Sequence, residues 1–180
     1  MRDKRENYAN LEPSIELSYL LGAVLGDGYF CFTNRSYMIG FDSTEEQLVQ
    51  AVQERFSKIL EFTPKYHFEK RQGYTHGGIY RIRFSCKSFY SLVSNYESLT
   101  QTVLVHPEAF LAGIFDTEGS IDILVHHFPR VFIYNTEIPL IEVCCSCLKE
   151  LEIDYHITKR EYPANYFELH NDLFLPSWRS

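Results

Sequence analysis

What this 180-residue chain has little of narrows the field before any motif is read. It has no long apolar run: the stretch from Leu17 to Leu25 is closed by Asp27 and reaches about half the ~20 residues a membrane-spanning helix needs. No membrane partner is expected. The start, Met1-Arg2-Asp3-Lys4-Arg5-Glu6, is charged with no adjoining apolar stretch, so no signal peptide is expected either. Cysteine is sparse, five residues without a paired pattern, which speaks against a disulfide framework and suits a reducing intracellular setting, cytoplasm, nucleoid or organelle. Three of the five, Cys144, Cys145 and Cys147, cluster with no second ligand pair at zinc spacing and read as core residues. Cations are short as well. Lys and Arg number 17 against 24 Asp and Glu, a net charge of −7. Residues 1–105 balance at 12 against 12, so the whole deficit lies in residues 106–180, with 5 against 12. That half also holds five of the seven histidines.

Glycine is scarce too, yet five of the nine fall in two segments that end alike. One is Leu20-Leu21-Gly22-Ala23-Val24-Leu25-Gly26-Asp27-Gly28, the other Leu111-Ala112-Gly113-Ile114-Phe115-Asp116-Thr117-Glu118-Gly119. Each is an apolar run with small residues four apart, Gly22 and Gly26 or Gly113 and Thr117, followed by a carboxylate and a glycine. A spacing of four puts the small residues on one helix face, where two backbones can approach closely. The closing glycine is expected to take the positive φ of a helix C-terminus. If the helices pack, Asp27 and Glu118 lie side by side at negative dipole ends, an arrangement that calls for a cation. Hard oxygen ligands predict Mg²⁺ or Mn²⁺ there. Asp116, two residues before Glu118, points away and is assigned no catalytic role.

The flanks repeat as well. Asp27 and Glu118 lie 91 residues apart, Thr44 and Thr136 lie 92 apart, and Lys58-Ile59-Leu60-Glu61-Phe62 matches Lys149-Glu150-Leu151-Glu152-Ile153 at 91. Three blocks at offsets of 91 or 92 predict two copies of one unit. The two segments resemble the paired motifs of the LAGLIDADG homing endonucleases in their single-chain form, LAGIFDTEG being the closer copy. The resemblance implies an α+β fold of two pseudo-symmetric αββαββ(α) repeats, residues 13–105 and 106–180, the second with a shortened end. Each repeat would carry a four-stranded antiparallel sheet, the two forming a DNA-binding saddle with the motif helices packed at the centre through Gly22, Gly26, Gly113 and Thr117. It implies a monomeric endonuclease that cuts both strands of a long asymmetric site to leave staggered ends. Asp27 and Glu118 would be its catalytic metal ligands, with the Gly26 and Thr117 backbones beside them. Intron mobility is the biology the resemblance implies.

Periodicity places the elements. Helices are expected from about Pro13 to Asp27, from Ser43 as N-cap with Glu46 completing a capping box, at Ser88–Asn95, from Glu108 to Glu118 after Pro107, and from Ile138 to Leu151. Strands are expected at 29–33, 36–42, 65–70, 79–84, 120–125, 130–134, 153–158 and 165–170. Alternation then separates faces. Arg81 and Arg83 share one, opposite Ile82 and Phe84; Lys65, His67 and Arg71 share another; His156 and Arg160 oppose Ile153, Tyr155 and Ile157. With Tyr29, Arg35, Tyr37, Arg130 and Lys159 these are the candidate contacts to double-stranded DNA, of the kind a β-ribbon uses in the major groove. One departure from the family stands out. The positions before the second helix of each half, usually Lys or Gln, are Ser43-Thr44 and Asn135-Thr136 here. Together with the acidic total this keeps an alternative open: a non-catalytic nucleic-acid-binding protein, such as a maturase acting on its own intron RNA or a DNA-binding regulator. A protein-interaction domain is a third class.

Overall fold

The computed structural model describes residues 9–70, 77–122, 130–160 and 166–172. Two helices built on the glycine segments run through its centre, α1 (Ile15–Gly26) and α5 (Pro107–Glu118). Helix α1 starts where the Ser14 hydroxyl accepts the Leu17 N–H at 3.2 Å, so Pro13 precedes the cap instead of occupying the first turn. Every residue from Leu17 to Val24 is buried, as expected of a helix that is apolar all round. Helix α5 takes Pro107 at its first turn, where a missing N–H costs nothing.

The two helices meet backbone to backbone. A Cβ on Gly22 would strike the Phe110 carbonyl and lie 2.9 Å from the Ile114 nitrogen, and one on Gly113 would strike the Tyr19 carbonyl and lie 2.8 Å from the Ala23 nitrogen. One turn on, Gly26 faces the side chain of Thr117, whose hydroxyl is tied back to the Gly113 and Ile114 carbonyls. A polar clamp reinforces the crossing. The Tyr19 hydroxyl donates to Asp116 Oδ2 at 2.6 Å, and the Arg55 guanidinium lies 3.9 Å above the Tyr19 ring. Asp116 therefore joins the helices and takes no part in the carboxylate pair.

Each central helix runs directly into a sheet. The first has strands β1 (Gly28–Thr33), β2 (Ser36–Ser43), β3 (Tyr66–Lys70) and β4 (Gly78–Ser85) in the order β1-β2-β4-β3, antiparallel throughout. The second repeats it with β5 (Gly119–Asp122), β6 (Arg130–Asn135), β7 (His156–Arg160) and β8 (Tyr166–Asp172) in the order β5-β6-β8-β7. Register repeats too: Gly28 pairs with Phe41, and Gly119 with Ile133. Helix α2 (Glu46–Ile59) covers the first sheet through Val49, Val52 and Phe56, the Phe56 ring lying 4.8 Å from Phe84 and 5.6 Å from Phe89 of α3 (Lys87–Val93). Helix α6 (Ile138–Glu150) serves the second half, with Ile141, Cys144, Cys145, Cys147 and Leu148 buried and the cysteines free. No helix among the described residues is long and apolar enough to cross a membrane.

Several expectations change. Gly28 and Gly119 do not adopt positive φ. They are required because a Cβ on Gly28 would lie 2.6 Å from the Val24 carbonyl, and one on Gly119 would strike Phe115. Ser43 does not cap α2; Glu45 is the cap residue, and the Ser43 hydroxyl accepts the Glu45 N–H at 3.1 Å in a local turn. The helix expected at Ser88–Asn95 stops at Val93, because the Asn95 side chain accepts the Glu97 and Ser98 N–H groups and starts a further, unexpected helix, α4 (Tyr96–Val103). Strand β7 begins later than Ile153. Glu152 takes φ 56° and the Ile153 N–H bonds to the Leu148 carbonyl, so the helix exit uses these residues. Ile157 is left 51% exposed on the side expected to be covered, beside a groove of about 390 Å³ against α6.

Two stability outcomes follow. Gly22→Ala must push the central helices apart and is expected to lower unfolding free energy by about 1–3 kcal/mol in urea titration; an unchanged midpoint would sink the close-contact reading. Ser18 is fully buried and its hydroxyl has no partner among the described residues, so Ser18→Ala is expected to stabilise by about 1 kcal/mol in the same assay.

Candidate metal and DNA site

The parallel fate of the two glycine segments brings their carboxylates together. Asp27 is the residue after α1, its N–H bonded to the Ala23 carbonyl at 3.2 Å, and Glu118 is the last residue of α5. Partial burial of its carboxyl raises the pKa of Asp27, although the residue as a whole is exposed. Burial raises that of Glu118 as well, and the charge of Asp27 adds to it. The second effect records the proximity of the pair. Among the described residues neither carboxylate has a cationic partner, and no third His, Cys, Asp or Glu joins them. An uncompensated pair of acids at two negative helix ends suits a hard divalent cation whose other ligands are backbone carbonyls, water and phosphate.

The halves differ beside this pair. Asn135, at the end of β6, donates from Nδ2 to Glu118 Oε1 at 3.4 Å, while its Oδ1 accepts the Glu137 N–H at 2.8 Å. Glu137 in turn accepts the Tyr96 hydroxyl at 2.8 Å, so a chain of contacts runs from α4 of the first half to the carboxylate of the second. Ser43 is the counterpart of Asn135 and makes the matching local bond to Glu45, with no reach to Asp27.

On the first sheet Ile39, Phe41, Ile82 and Phe84 face the helices, so the alternate residues form the free face. Tyr29 lies on it, its ring over Gly40, where any side chain would collide with it. The Arg83 guanidinium donates to the Tyr29 hydroxyl from 5.6 Å off the ring centroid. Arg81 is bound twice, its Nε to both Asp42 oxygens at 3.0 and 2.9 Å and its Nη1 to Glu69, and its side chain is only 17% exposed. His67 is exposed opposite Arg81, Lys65 is exposed just before β3, and Arg35 is exposed in the β1–β2 turn with φ 59°. Tyr37 requires correction. It lies on the helix side, its ring 4.8 Å from Phe32 and 5.2 Å from Tyr90, because residue 37 alternates with Met38 and Gly40. On the second sheet, His156 is exposed opposite His170, and Arg130, Lys159 and Arg160 occupy strand positions paired with Asp122, Phe167 and Tyr166. Arg71 lies outside the described residues.

The raised carboxylate pKa values carry a pH signature. A raised folded-state pKa means the folded chain holds the proton more tightly than the unfolded chain does. The penalty is therefore absent well below the ordinary carboxylate range, grows as pH climbs through the raised values and is fully present at neutral pH. Asp27→Asn and Glu118→Gln are each expected to raise the melting temperature by about 2 °C at pH 7, with the gain fading below about pH 4. Scanning calorimetry at both pH values checks this; equal gains at both would refute mutual repulsion.

Known proteins bear on this geometry. Residues 106–176 match the family model of the LAGLIDADG-like domain. The uncharacterized protein MJ0314 of Methanocaldococcus jannaschii is 31% identical over 170 residues, covering 86% of this chain and 61% of that protein. The chain thus spans about three-fifths of the relative's length. The solved structure of I-DmoI in complex with DNA and Mn aligns with a TM-score of 0.63 at 22% identity, over 91% of this chain and 92% of that one. The homing endonuclease I-WcaI bound to its DNA recognition sequence aligns with a TM-score of 0.65 at 15% identity, over 88% of this chain and 75% of that one. Identities this low speak to fold alone. Residues 106–176 form a LAGLIDADG-like domain, and through both halves the chain has the fold of the homing endonucleases I-DmoI and I-WcaI.

Proposed function

We propose that this protein is a site-specific double-strand DNA endonuclease that uses a divalent cation, Mg²⁺ or Mn²⁺. The observation that carries the reading is the convergence of Asp27 and Glu118 at two helix ends with no cationic side chain beside them among the described residues. These two side chains, with the Gly26 and Thr117 carbonyls, would hold the ion. When bound, it supplies Lewis-acid charge to the phosphodiester undergoing hydrolysis. The chain's own part is positional. The packed glycine faces set the spacing of the two carboxylates, and Asn135 restrains Glu118 on one side. The free face of the first sheet supplies contacts along the duplex. Arg83, held against Tyr29, is suited to a phosphate or guanine edge. Glu69, 56% exposed beside Arg81, is suited to a cytosine amine. Phosphate neutralisation by few cations predicts a shallow salt dependence of binding for a site of this size.

A second reading rests on one observation. The Ser43 hydroxyl accepts the Glu45 N–H, and among the described residues neither carboxylate has a basic neighbour, which favours a DNA-binding regulator that no longer cuts.

A duplex selected from a randomised library by binding in Ca²⁺ separates the two. On adding Mg²⁺ the wild-type protein is expected to cut both strands, and Asp27→Asn and Glu118→Gln are each expected to slow cutting by about 10²-fold or more, with binding in Ca²⁺ reduced far less. Tight binding with no cutting in Mg²⁺ or Mn²⁺ would select the regulator. Failure to enrich any duplex at low salt would remove both.

A further inference from the structure

We propose that the segment after β8, Leu173-Phe174-Leu175-Pro176-Ser177-Trp178, docks in the apolar groove between α6 and β7 and straps that outer strand to its helix. The proposal does not depend on the nuclease reading. It starts from a difference between the halves. Strands β3 and β7 are counterparts, each an outer strand of its sheet. In the first half, side chains bridge the gap between this strand and its helix. The Gln53 amide donates to the Pro64 carbonyl at 2.8 Å, the Gln50 amide donates to the Tyr66 hydroxyl at 3.1 Å, and that hydroxyl donates to Glu46 at 3.0 Å. The second half has apolar residues in these places. Glu45 and Glu137 precede α2 and α6 with nearly the same backbone angles, which puts Ile138 where Glu46 stands and Cys145 where Gln53 stands. Tyr66 pairs with Ile82 and Ile157 with Leu169, so sheet register puts Ile157 where Tyr66 stands. Neither Ile138 nor Ile157 can make the bonds its counterpart makes. A groove of about 390 Å³ opens here instead, lined by Ile138, Ile141, Cys145, Tyr155 and Ile157.

Ile138 and Ile157 are each 51% exposed in that groove, and contiguous apolar surface of this kind marks a binding face. Three observations choose the occupant. The first is position. His170 pairs with His156, so Asp172 lies two residues beyond the start of β7, at the end of the sheet where residues 151–155 join α6 to β7. Tyr155, which lines the groove, and the exposed Ile153 belong to that connection. The second is reach. Strand spacing and rise put Asp172 within about 10 Å of Tyr155, and six extended residues span up to about 20 Å. The third is composition: Leu173, Phe174, Leu175 and Trp178 put four large apolar side chains in six residues, suited to an apolar groove. A tethered segment also meets its site at about millimolar effective concentration, which a free partner rarely matches. Docked there, the segment does for β7 what the Gln53, Gln50 and Tyr66 bonds do for β3. It would steady the strand that carries His156, Lys159 and Arg160.

Trp178 is the only tryptophan of the sequence, so the fluorescence of the intact chain reports on this segment directly. Its emission is expected to be blue-shifted from that of a synthetic peptide of residues 173–180, and its quenching by acrylamide slower, at every protein concentration. Ile157→Asp places a charge in the groove at a half-exposed position, and circular dichroism checks that the fold is kept. A second variant, Ile138→Glu with Ile157→Tyr, writes the first-half pair Glu46 and Tyr66 into the groove. Both are expected to shift the emission to the red and to raise quenching to the level of the peptide. Ile121→Asp, at a 54% exposed position on β5 at the opposite edge of the same sheet, is expected to change neither. Peptide-like emission and quenching in the wild-type chain would overturn the proposal and leave the groove to another partner. Shielding that survives both groove variants, or that is lost in Ile121→Asp, would overturn it by placing the segment elsewhere. Shielding lost on dilution would overturn it in favour of a second copy of the chain.

Discussion

The contact between α1 and α5 is the constraint on which the rest of the structure depends. Two helices can share backbone surface only where neither carries a Cβ, and Gly22 and Gly113 provide that place reciprocally, each facing the other helix's main chain. Dispersion at such short range is gained along the whole crossing, and no side-chain entropy is lost to obtain it. The crossing also fixes where everything downstream begins. Because β1 starts at Gly28 and β5 at Gly119, the two sheets are launched from the same end of the helix pair, and their registers repeat residue for residue at the start. The clamp of Tyr19, Asp116 and Arg55 holds the pair from the side with groups drawn from three helices.

That packing works against electrostatics at its lower end. The same geometry that brings the glycines together sets Asp27 near Glu118, where burial raises both pKa values and the charge of Asp27 raises that of Glu118 further. A chain selected only for stability would place neutral or basic residues there, since basic groups at helix C-termini are favourable and acidic ones are not. Uncompensated negative charge of this kind is what would attract a cation, at a cost in stability.

The free face of the first sheet shows a different use of charge. Arg81 is saturated by Asp42 and Glu69, so its positive charge is spent within the protein, and the group presented outward is Glu69. Arg83 is held against an aromatic hydroxyl, which orients it without neutralising it. Side chains ordered before binding lose less entropy on contact with a duplex. A surface of this type depends on matching donors and acceptors more than on bulk positive charge, which is consistent with a chain whose net charge is −7.

Much of this could be read in the linear chain because the relevant physics is local. Small residues four apart define a helix face whatever the helix packs on, so the glycine segments, their acids and the repeat at offset 91 predicted the central pair. Alternation likewise separated Arg81 and Arg83 from Ile82 and Phe84. Where the reading went astray, a long-range partner decided. Gly28 and Gly119 looked like sites of positive φ, but the neighbouring helix turn and strand leave no room for a Cβ there. Tyr37 looked free until the β1–β2 register set its face. Ser43 had the form of a helix cap and makes a turn instead, and the start of α4 was signalled only by Asn95.

The amino-acid sequence by itself determined that there are two helix-strand units, where their central helices lie and which two carboxylates end them, because spacing and residue type act over a few residues. Only the tertiary structure decided that Arg81 is spent on Asp42 and Glu69, that Asn135 reaches Glu118 while Ser43 reaches nothing beyond its turn, and that Asp116 belongs to the helix clamp. Each of those contacts joins residues whose proximity depends on strand register and helix crossing, quantities that no local pattern contains.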